Sequence, residues 1–399
     1  MISVFRPTIR RADMDAVLSR LAEDSIGAGS LSREFSQGVA RYVGRRSGIS
    51  FRSYGHALGA IARALDLPRG SRIGVSALVH VAVKHVFEEY GYVVVPIDTD
   101  RSLPVLPSPL NYDYEALGLA ALYADTRLGY VPDLEHMRQL GIPLLEDVSE
   151  GFGGNTGSSK VGSVGDLTVI GLEPEHIITA GGGAVVISSS TKRVSVLSSC
   201  VDPAVGEPPL PDMNAALGIT QLKQIERFIE RRKEIAARFV GVVQRGRYRV
   251  PLQGGDGDNV FFALPVMVDS SPREVEKYAQ GHGVAVQRAF VDTVLSVLTG
   301  DGGDGGRGDD ERDEDGRGDV ERGEEGVRGD SEGEQGQDGA WGERGEWRER
   351  GEEGVRGGSV AARFPNALTF SSQTVLFPLY PTLGKSEQER VERVLATLP

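Results

Sequence analysis

Short apolar runs rich in β-branched residues alternate with segments of helical spacing through the first half of the chain. RIGVSAL (72–78), GYVVVPID (91–98), GLAALYAD (118–125), IPLLEDV (142–148), LTVIGLE (167–173) and GGAVVIS (182–188) have the make-up of buried strands. HALGAIARAL (56–65), HVAVKHVFEEYG (80–91) and PDLEHMRQLG (132–141) have helical spacing, and the last two close on glycine. Such alternation predicts an α/β fold, a mostly parallel sheet with helices on both faces. Asp98, Asp125 and Asp147 fall at the carboxyl ends of their strands, where open α/β sheets collect ligands. Aspartate there also commonly caps the next helix, so both roles stand open for each.

Residues 212–243, DMNAALGITQLKQIERFIERRKEIAARFVGVV, predict one long amphipathic helix. Met213, Leu217, Leu222, Ile225, Phe228 and Ile229 form its apolar stripe, and Lys and Arg fill the other face. VFFALPVMVD (260–269) and the closing FPLYPTLGKSEQERVERVLATL then predict a smaller α+β domain. The expected division is a large domain over 1–243 and a small one over 244–399, the latter interrupted by residues 300–358.

Charge separates that block from the rest. Residues 300–358 hold 21 acidic side chains against nine arginines, so nearly all of the net charge of −13 is local. GEEGVRG occurs at 323–329 and again at 351–357, and glycine makes up about a third of the block. Such a composition buries too little apolar area to offset the entropy of ordering it, so a disordered insertion is expected. Its three Arg-Gly-Asp tripeptides are what a Gly/Arg/Asp repeat readily produces. The remaining chain is close to neutral, with no basic stripe and interleaved aromatics, and nucleic acid is not an expected partner. A single cysteine, Cys200, excludes an internal disulfide and a cysteine-rich metal site, and fits a reducing compartment. The start lacks the apolar core of a signal peptide and no run reaches membrane-spanning length, so the expectation is a cytoplasmic protein with no membrane partner.

Several stretches resemble the DegT–StrS family of pyridoxal-phosphate-dependent sugar aminotransferases. FRPTIRRADMDAVLSRL (5–21) is similar to the family's opening helix, and LGYVPDLEHMRQLGIPLLEDVSEGFGG (128–154) to the run into its cofactor aspartate. VGSVGDLTVIGLEPEHIITAGGGAVV resembles its lysine loop, AALGITQLKQIERFIERRKEIAARF its interdomain helix, and PNALTFSSQTVLFPLYPTL (365–383) its closing segment. The resemblance implies the fold type I architecture: a large domain with a mostly parallel mixed sheet and a smaller C-terminal α+β domain. It also implies pyridoxal phosphate or pyridoxamine phosphate as cofactor, a nucleotide-linked sugar as substrate, and a homodimer.

Carried over by position, Asp147 matches the aspartate that pairs with the pyridinium nitrogen. Glu150 stands where the family has a glutamine near the ring hydroxyl, and His80 where an aromatic ring stacks on the pyridine. The phosphate-binding Ser-Gly-Thr turn becomes Ser53-Tyr54-Gly55, followed by His56, without the threonine hydroxyl. Gly171 replaces a serine, and Val205-Gly206-Glu207 replaces the Gly-Tyr-Asn that reaches a neighbouring subunit's phosphate. His176 replaces the Schiff-base lysine, and Lys160 and Lys192 lie on flanking segments. The leading expectation is therefore a catalytically degenerate relative in nucleotide-sugar and surface-polysaccharide biosynthesis. Two alternatives stand beside it. One is a 3-dehydratase of a nucleotide-linked 4-keto-6-deoxysugar with His176 as base, since a histidine titrates near neutral pH. The other is an active sugar aminotransferase.

Overall fold

A computed structural model of the chain describes residues 1–204, 206–254, 257–300 and 359–399. The expected disordered insertion and its Arg-Gly-Asp tripeptides lie almost wholly outside the described residues.

The apolar runs found in the sequence form the centre of a seven-stranded sheet. Its strands are β1 (Gly48–Phe51), β2 (Arg72–Ser76), β3 (Val93–Ile97), β4 (Ala121–Asp125), β5 (Leu144–Asp147), β8 (Leu167–Gly171) and β9 (Ala184–Ser188). A two-residue hairpin, β6 (Asn155–Thr156) and β7 (Ser159–Lys160), separates β5 from β8. The spatial order is β1-β9-β8-β5-β4-β2-β3. The run from β3 to β8 is parallel, and β9 lies antiparallel between β8 and β1, giving a mostly parallel mixed sheet.

Both faces of this sheet are buried, which explains why its strands read as continuous apolar runs rather than as an alternation. Successive residues of a strand point to opposite faces. On β4, Leu122 and Ala124 join one core, and Ala121 and Tyr123 the other. On β9, Val185 and Ile187 face the first core, and Ala184 and Val186 the second. The helices Tyr54–Leu65 and Val81–Glu89 cover the second core through Leu58, Ile61, Val83 and Phe87.

The segment expected as one long helix is two. Asp212–Leu222 and Ile225–Val243 are separated at Gln224, whose φ of −112° and ψ of 2° are not helical. The break lets each piece follow a different partner. Ala215, Ala216 and Gly218 are buried in the first helix, which packs against the helices Arg11–Ala22 and Ser30–Tyr42, while Met213 and Leu217 of the expected stripe are only half-buried. Gly218 permits the close approach, because a Cβ there would meet the Phe35 ring at 2.5 Å. Ile235, Ala236, Phe239 and Val243 of the second helix enter a third core with a small antiparallel sheet, β10 (Leu264–Met267), β12 (Thr374–Phe377) and β11 (Gln287–Arg288).

The first of these two helices also anchors the N-terminal region electrostatically. Asp212 is buried, and its Oδ1 accepts from the backbone N–H of Gly29 at 2.9 Å and of Ser32 at 2.8 Å, satisfying donors at the start of the helix Ser30–Tyr42. Asp212→Ala strands both donors and is expected to lower the unfolding free energy by about 1–3 kcal/mol, read as a shift in urea midpoint at unchanged slope.

Candidate functional site

The three strand-end aspartates have three different fates. Asp98, which follows β3, accepts from the backbone N–H of Asn366 at 3.1 Å and of Ala367 at 2.8 Å, and so caps the distant helix Pro365–Gln373. Asp125 and Asp147 are paired in register at the ends of β4 and β5, both buried, and begin the site.

Asp147 has four polar neighbours. Its Oδ1 accepts from the Ser149 backbone N–H at 3.0 Å and from the Ser149 hydroxyl at 2.5 Å. Its Oδ2 accepts from the Tyr123 hydroxyl at 2.7 Å and from the Tyr54 hydroxyl. The two phenol oxygens also lie 2.8 Å apart. Tyr123 rises from the neighbouring strand β4 and is fixed edge-on against Phe87, with ring centroids 5.8 Å apart. Tyr54 arrives from the first position of the helix Tyr54–Leu65. Burial, and then the charge of Asp147, push both phenol pKa values well above their ordinary range, so both remain protonated donors at physiological pH. An ionised carboxylate offers about four lone-pair sites. The two phenols bring two hydrogens to three close contacts, so the carboxylate takes three or four donors.

Asp125 is in the opposite situation. Its Oδ1 is buried with no hydrogen-bond partner among the described residues. Burial raises its pKa to about 7, with Arg127 opposing and the charges of Asp147 and Glu150 adding to the rise. Arg127 donates to Glu150 Oε1 at 2.9 Å and lies over the Phe290 ring at 5.6 Å. Burial works against its charge, but Glu150, Asp125 and Asp147 outweigh it and hold the guanidinium charged. The other Glu150 oxygen accepts from the Leu128 backbone N–H at 2.5 Å. Glu150, singled out as a ring contact, is thus engaged on both oxygens by Arg127 and the backbone.

His176 sits on the loop after β8, half-buried, with its ring centroid 6.1 Å from that of Phe262. Its Nδ1 accepts from the Glu173 backbone N–H at 3.0 Å. An Nδ1 that accepts leaves the ring proton of the neutral imidazole on Nε2. The loop therefore presents a donor, not a lone pair. A Cβ on Gly171 would lie 2.6 Å from His176 Cε1 and 3.0 Å from Ser149 Oγ, and Ser149 Oγ accepts from the Gly171 N–H at 2.7 Å. Glycine at 171 makes room for the imidazole, and the chain His176, Gly171, Ser149, Asp147 runs by direct contact.

His80, expected as a stacking ring, caps the helix Val81–Glu89, its Nδ1 accepting from Ala82 N–H at 3.1 Å. Burial and then Arg127 lower its pKa. Ser53 caps the helix Tyr54–Leu65, its hydroxyl accepting from the His56 N–H at 3.2 Å, and Gly55 lies in the first turn with open space around its Cα. Glu207 Oε2 stands 3.3 Å from His56 Nδ1. Lys160 is engaged by Glu226 at 3.1 Å and the Gly153 carbonyl at 3.2 Å, and Lys192 by Asp66 at 2.7 Å. Tyr54, Tyr123, Ser149 and Arg127 were not anticipated as site residues. Only Tyr54 left a signal, as the bulky residue in a turn otherwise built of Ser and Gly.

Comparison with known proteins fixes the lineage. The profile of the DegT/DnrJ/EryC1/StrS aminotransferase family matches residues 7–296. The chain belongs to this family. A UDP-4-amino-4,6-dideoxy-N-acetyl-beta-L-altrosamine transaminase of Campylobacter jejuni is 22% identical over 275 residues, 62% of this chain and 71% of that protein. Among solved structures, the aminotransferase TlmJ of Streptoalloteichus hindustanus superposes with a TM-score of 0.77 at 18% identity, covering 99% of this chain and 98% of that one. A mutant form of GDP-4-keto-6-deoxymannose-3-dehydratase (ColD), with bound GDP-perosamine, superposes with a TM-score of 0.73 at 15% identity, covering 99% and 100%. The architecture is the fold type I of aminotransferases, as the sequence suggested.

The family's cofactor can be tested against these side chains. A pyridinium nitrogen needs a carboxylate lone pair, and both Asp147 oxygens already accept from donors of the chain. A dianionic phosphate needs a positive or donor-rich cradle; the Ser53 hydroxyl, which accepts from His56 N–H, keeps its own hydrogen, but the Glu207 carboxylate stands beside the same turn. The donors already on Asp147 and the Glu207 carboxylate beside the turn are the two features that do not suit pyridoxal phosphate.

Two outcomes follow. Because the folded-state pKa of Asp125 is raised, its contribution to stability is fully present below the unfolded-state value and is lost as pH rises through about 7. Asp125→Asn is expected to flatten the fall in melting temperature between pH 5 and 8, recovering a few kcal/mol at the alkaline end. Gly171→Ser is expected to cost about 1–3 kcal/mol, and much less in a His176→Ala background, so a double-mutant cycle should show clear coupling.

Proposed function

We propose that this chain is a catalytically degenerate member of the sugar aminotransferase family, one that serves nucleotide-sugar metabolism and surface-polysaccharide biosynthesis as a scaffold or partner subunit rather than by transamination. The observation that carries this reading is the Asp147 carboxylate, both of whose oxygens accept from donors of the chain itself. Electron withdrawal into a pyridine ring depends on that carboxylate being free to hold the ring nitrogen protonated. The absence of a lysine amine on the loop after β8 supports the same reading, since histidine cannot form the internal Schiff base. The reading takes the chain as a soluble cytoplasmic homodimer whose ligand, where it keeps one, is a nucleotide-linked sugar.

A 3-dehydratase reading has one specific feature in its favour, a histidine at the position of the missing lysine. The direction of its hydrogen bond weighs against it. A base at His176 Nε2 would need its proton on Nδ1, and Nδ1 accepts from Glu173 N–H. Active transamination has no candidate amine, because Lys160 and Lys192 are held by other partners.

The test is direct. Protein purified with excess pyridoxal phosphate or pyridoxamine phosphate is expected to retain no near-ultraviolet or violet cofactor band after desalting and to show no rise in melting temperature. Retention of a band that Asp147→Ala abolishes would reinstate an enzyme, and borohydride would then separate a covalent from a non-covalent cofactor.

A further inference from the structure

We propose that Tyr54 is an internal stand-in for the cofactor ring: its phenol closes the Asp147 carboxylate, so that the pocket is complete without a cofactor, closed to one, and reopened by removing this single side chain. The inference rests on the non-catalytic reading above and adds the cause of it.

A phenol resembles a pyridinium in the respects that matter to a carboxylate. Both are planar six-membered aromatic rings that present one polar hydrogen at the edge. Tyr54 brings that hydrogen to Asp147 Oδ2 from the first residue of a helix, whereas the other three neighbours of the carboxylate belong to the sheet or to the turn that follows it. Tyr123 is fully buried within β4, and Ser149 lies two residues beyond Asp147. Those contacts are set by the strands themselves. The Tyr54 contact is the one made by a side chain that approaches from outside the sheet, across 93 residues of sequence.

The same helix start carries the second obstruction. The exposed Glu207 carboxylate lies beside His56 in the first turn, where it repels a phosphate. A phenol on the carboxylate and a second carboxylate beside the helix start thus stand on the same side of the site. Because the tyrosine rather than the aspartate has changed, the carboxylate remains able to hold a ring once the phenol is gone.

The test uses the full-length chain and pyridoxamine phosphate, which has no aldehyde to react with surface lysines. Binding is followed by equilibrium dialysis. Tyr54→Gly is expected to bind at least roughly tenfold more tightly than the parent protein, the worth of one charge-assisted hydrogen bond. Glu207→Gln added to it should tighten binding further, and Asp147→Asn should remove the gain. Tyr54→Gly binding no better than the parent overturns this proposal and leaves the non-catalytic reading standing. Asp147-dependent binding by the parent protein overturns both. Should the glycine variant not fold, Tyr54→Phe keeps the ring and removes only the donor. Its melting temperature is expected to fall by several degrees, and by much less in an Asp147→Asn background; no such coupling overturns the proposal.

Discussion

A buried carboxylate has to be satisfied, and most of the site follows from how this chain satisfies Asp147. Leaving such a charge without donors costs more than any single hydrogen bond returns. Cofactor enzymes of this fold can leave part of that requirement to a ring nitrogen. Here Ser149, Tyr123 and Tyr54 meet it from within. The consequence reaches beyond one residue, because those donors tie the end of β5 to β4 and to the start of the helix Tyr54–Leu65. The contacts that satisfy the carboxylate are also contacts that hold the sheet to its helix.

Substitutions that read separately as losses are physically connected in the folded chain. Gly171 and His176 illustrate this. Taken from the sequence, the glycine looks like an eroded serine and the histidine like an eroded lysine. In space a Cβ at 171 would collide with the imidazole, so the glycine is what allows the histidine to pack. The imidazole in turn is fixed by the Glu173 N–H, which decides its tautomer. What a histidine at this position can do depends on which ring nitrogen its loop engages, and here Nδ1 accepts from the Glu173 N–H.

The fold was largely legible because burial on both faces of a parallel sheet leaves continuous apolar runs, and all six of those marked in the sequence contain strands of the large sheet. The break at Gln224 was not legible, since helical spacing continues through Lys223 and Gln224 and only the change of packing partner interrupts it. The site was legible in part. Asp147 stood out by position, but nothing in the spacing of Tyr54, Tyr123 and Ser149 announces that three separated segments converge on one carboxylate. Glu150 and His80 were marked by analogy of position, and their hydrogen bonds go to Arg127, Leu128 and Ala82. Side-chain direction, which decides such matters, is a property of tertiary packing and not of local pattern.

Asp98, Asp125 and Asp147 show how little residue type and strand position settle alone. All three follow the same rule of α/β sheets, at strand ends where ligands and helix caps compete for the same acid. Asp98 gives its oxygens to two backbone N–H groups of a helix 268 and 269 residues away in sequence. Asp147 accepts from hydroxyls and one amide. Asp125, between them in sequence and beside Asp147 in the sheet, keeps a buried oxygen without a partner among the described residues, and its pKa rises to about 7. Two carboxylates side by side in one sheet therefore differ by what the rest of the chain brings to them: donors from Ser149, Tyr123 and Tyr54 converge on Asp147, and none among the described residues reaches Asp125 Oδ1.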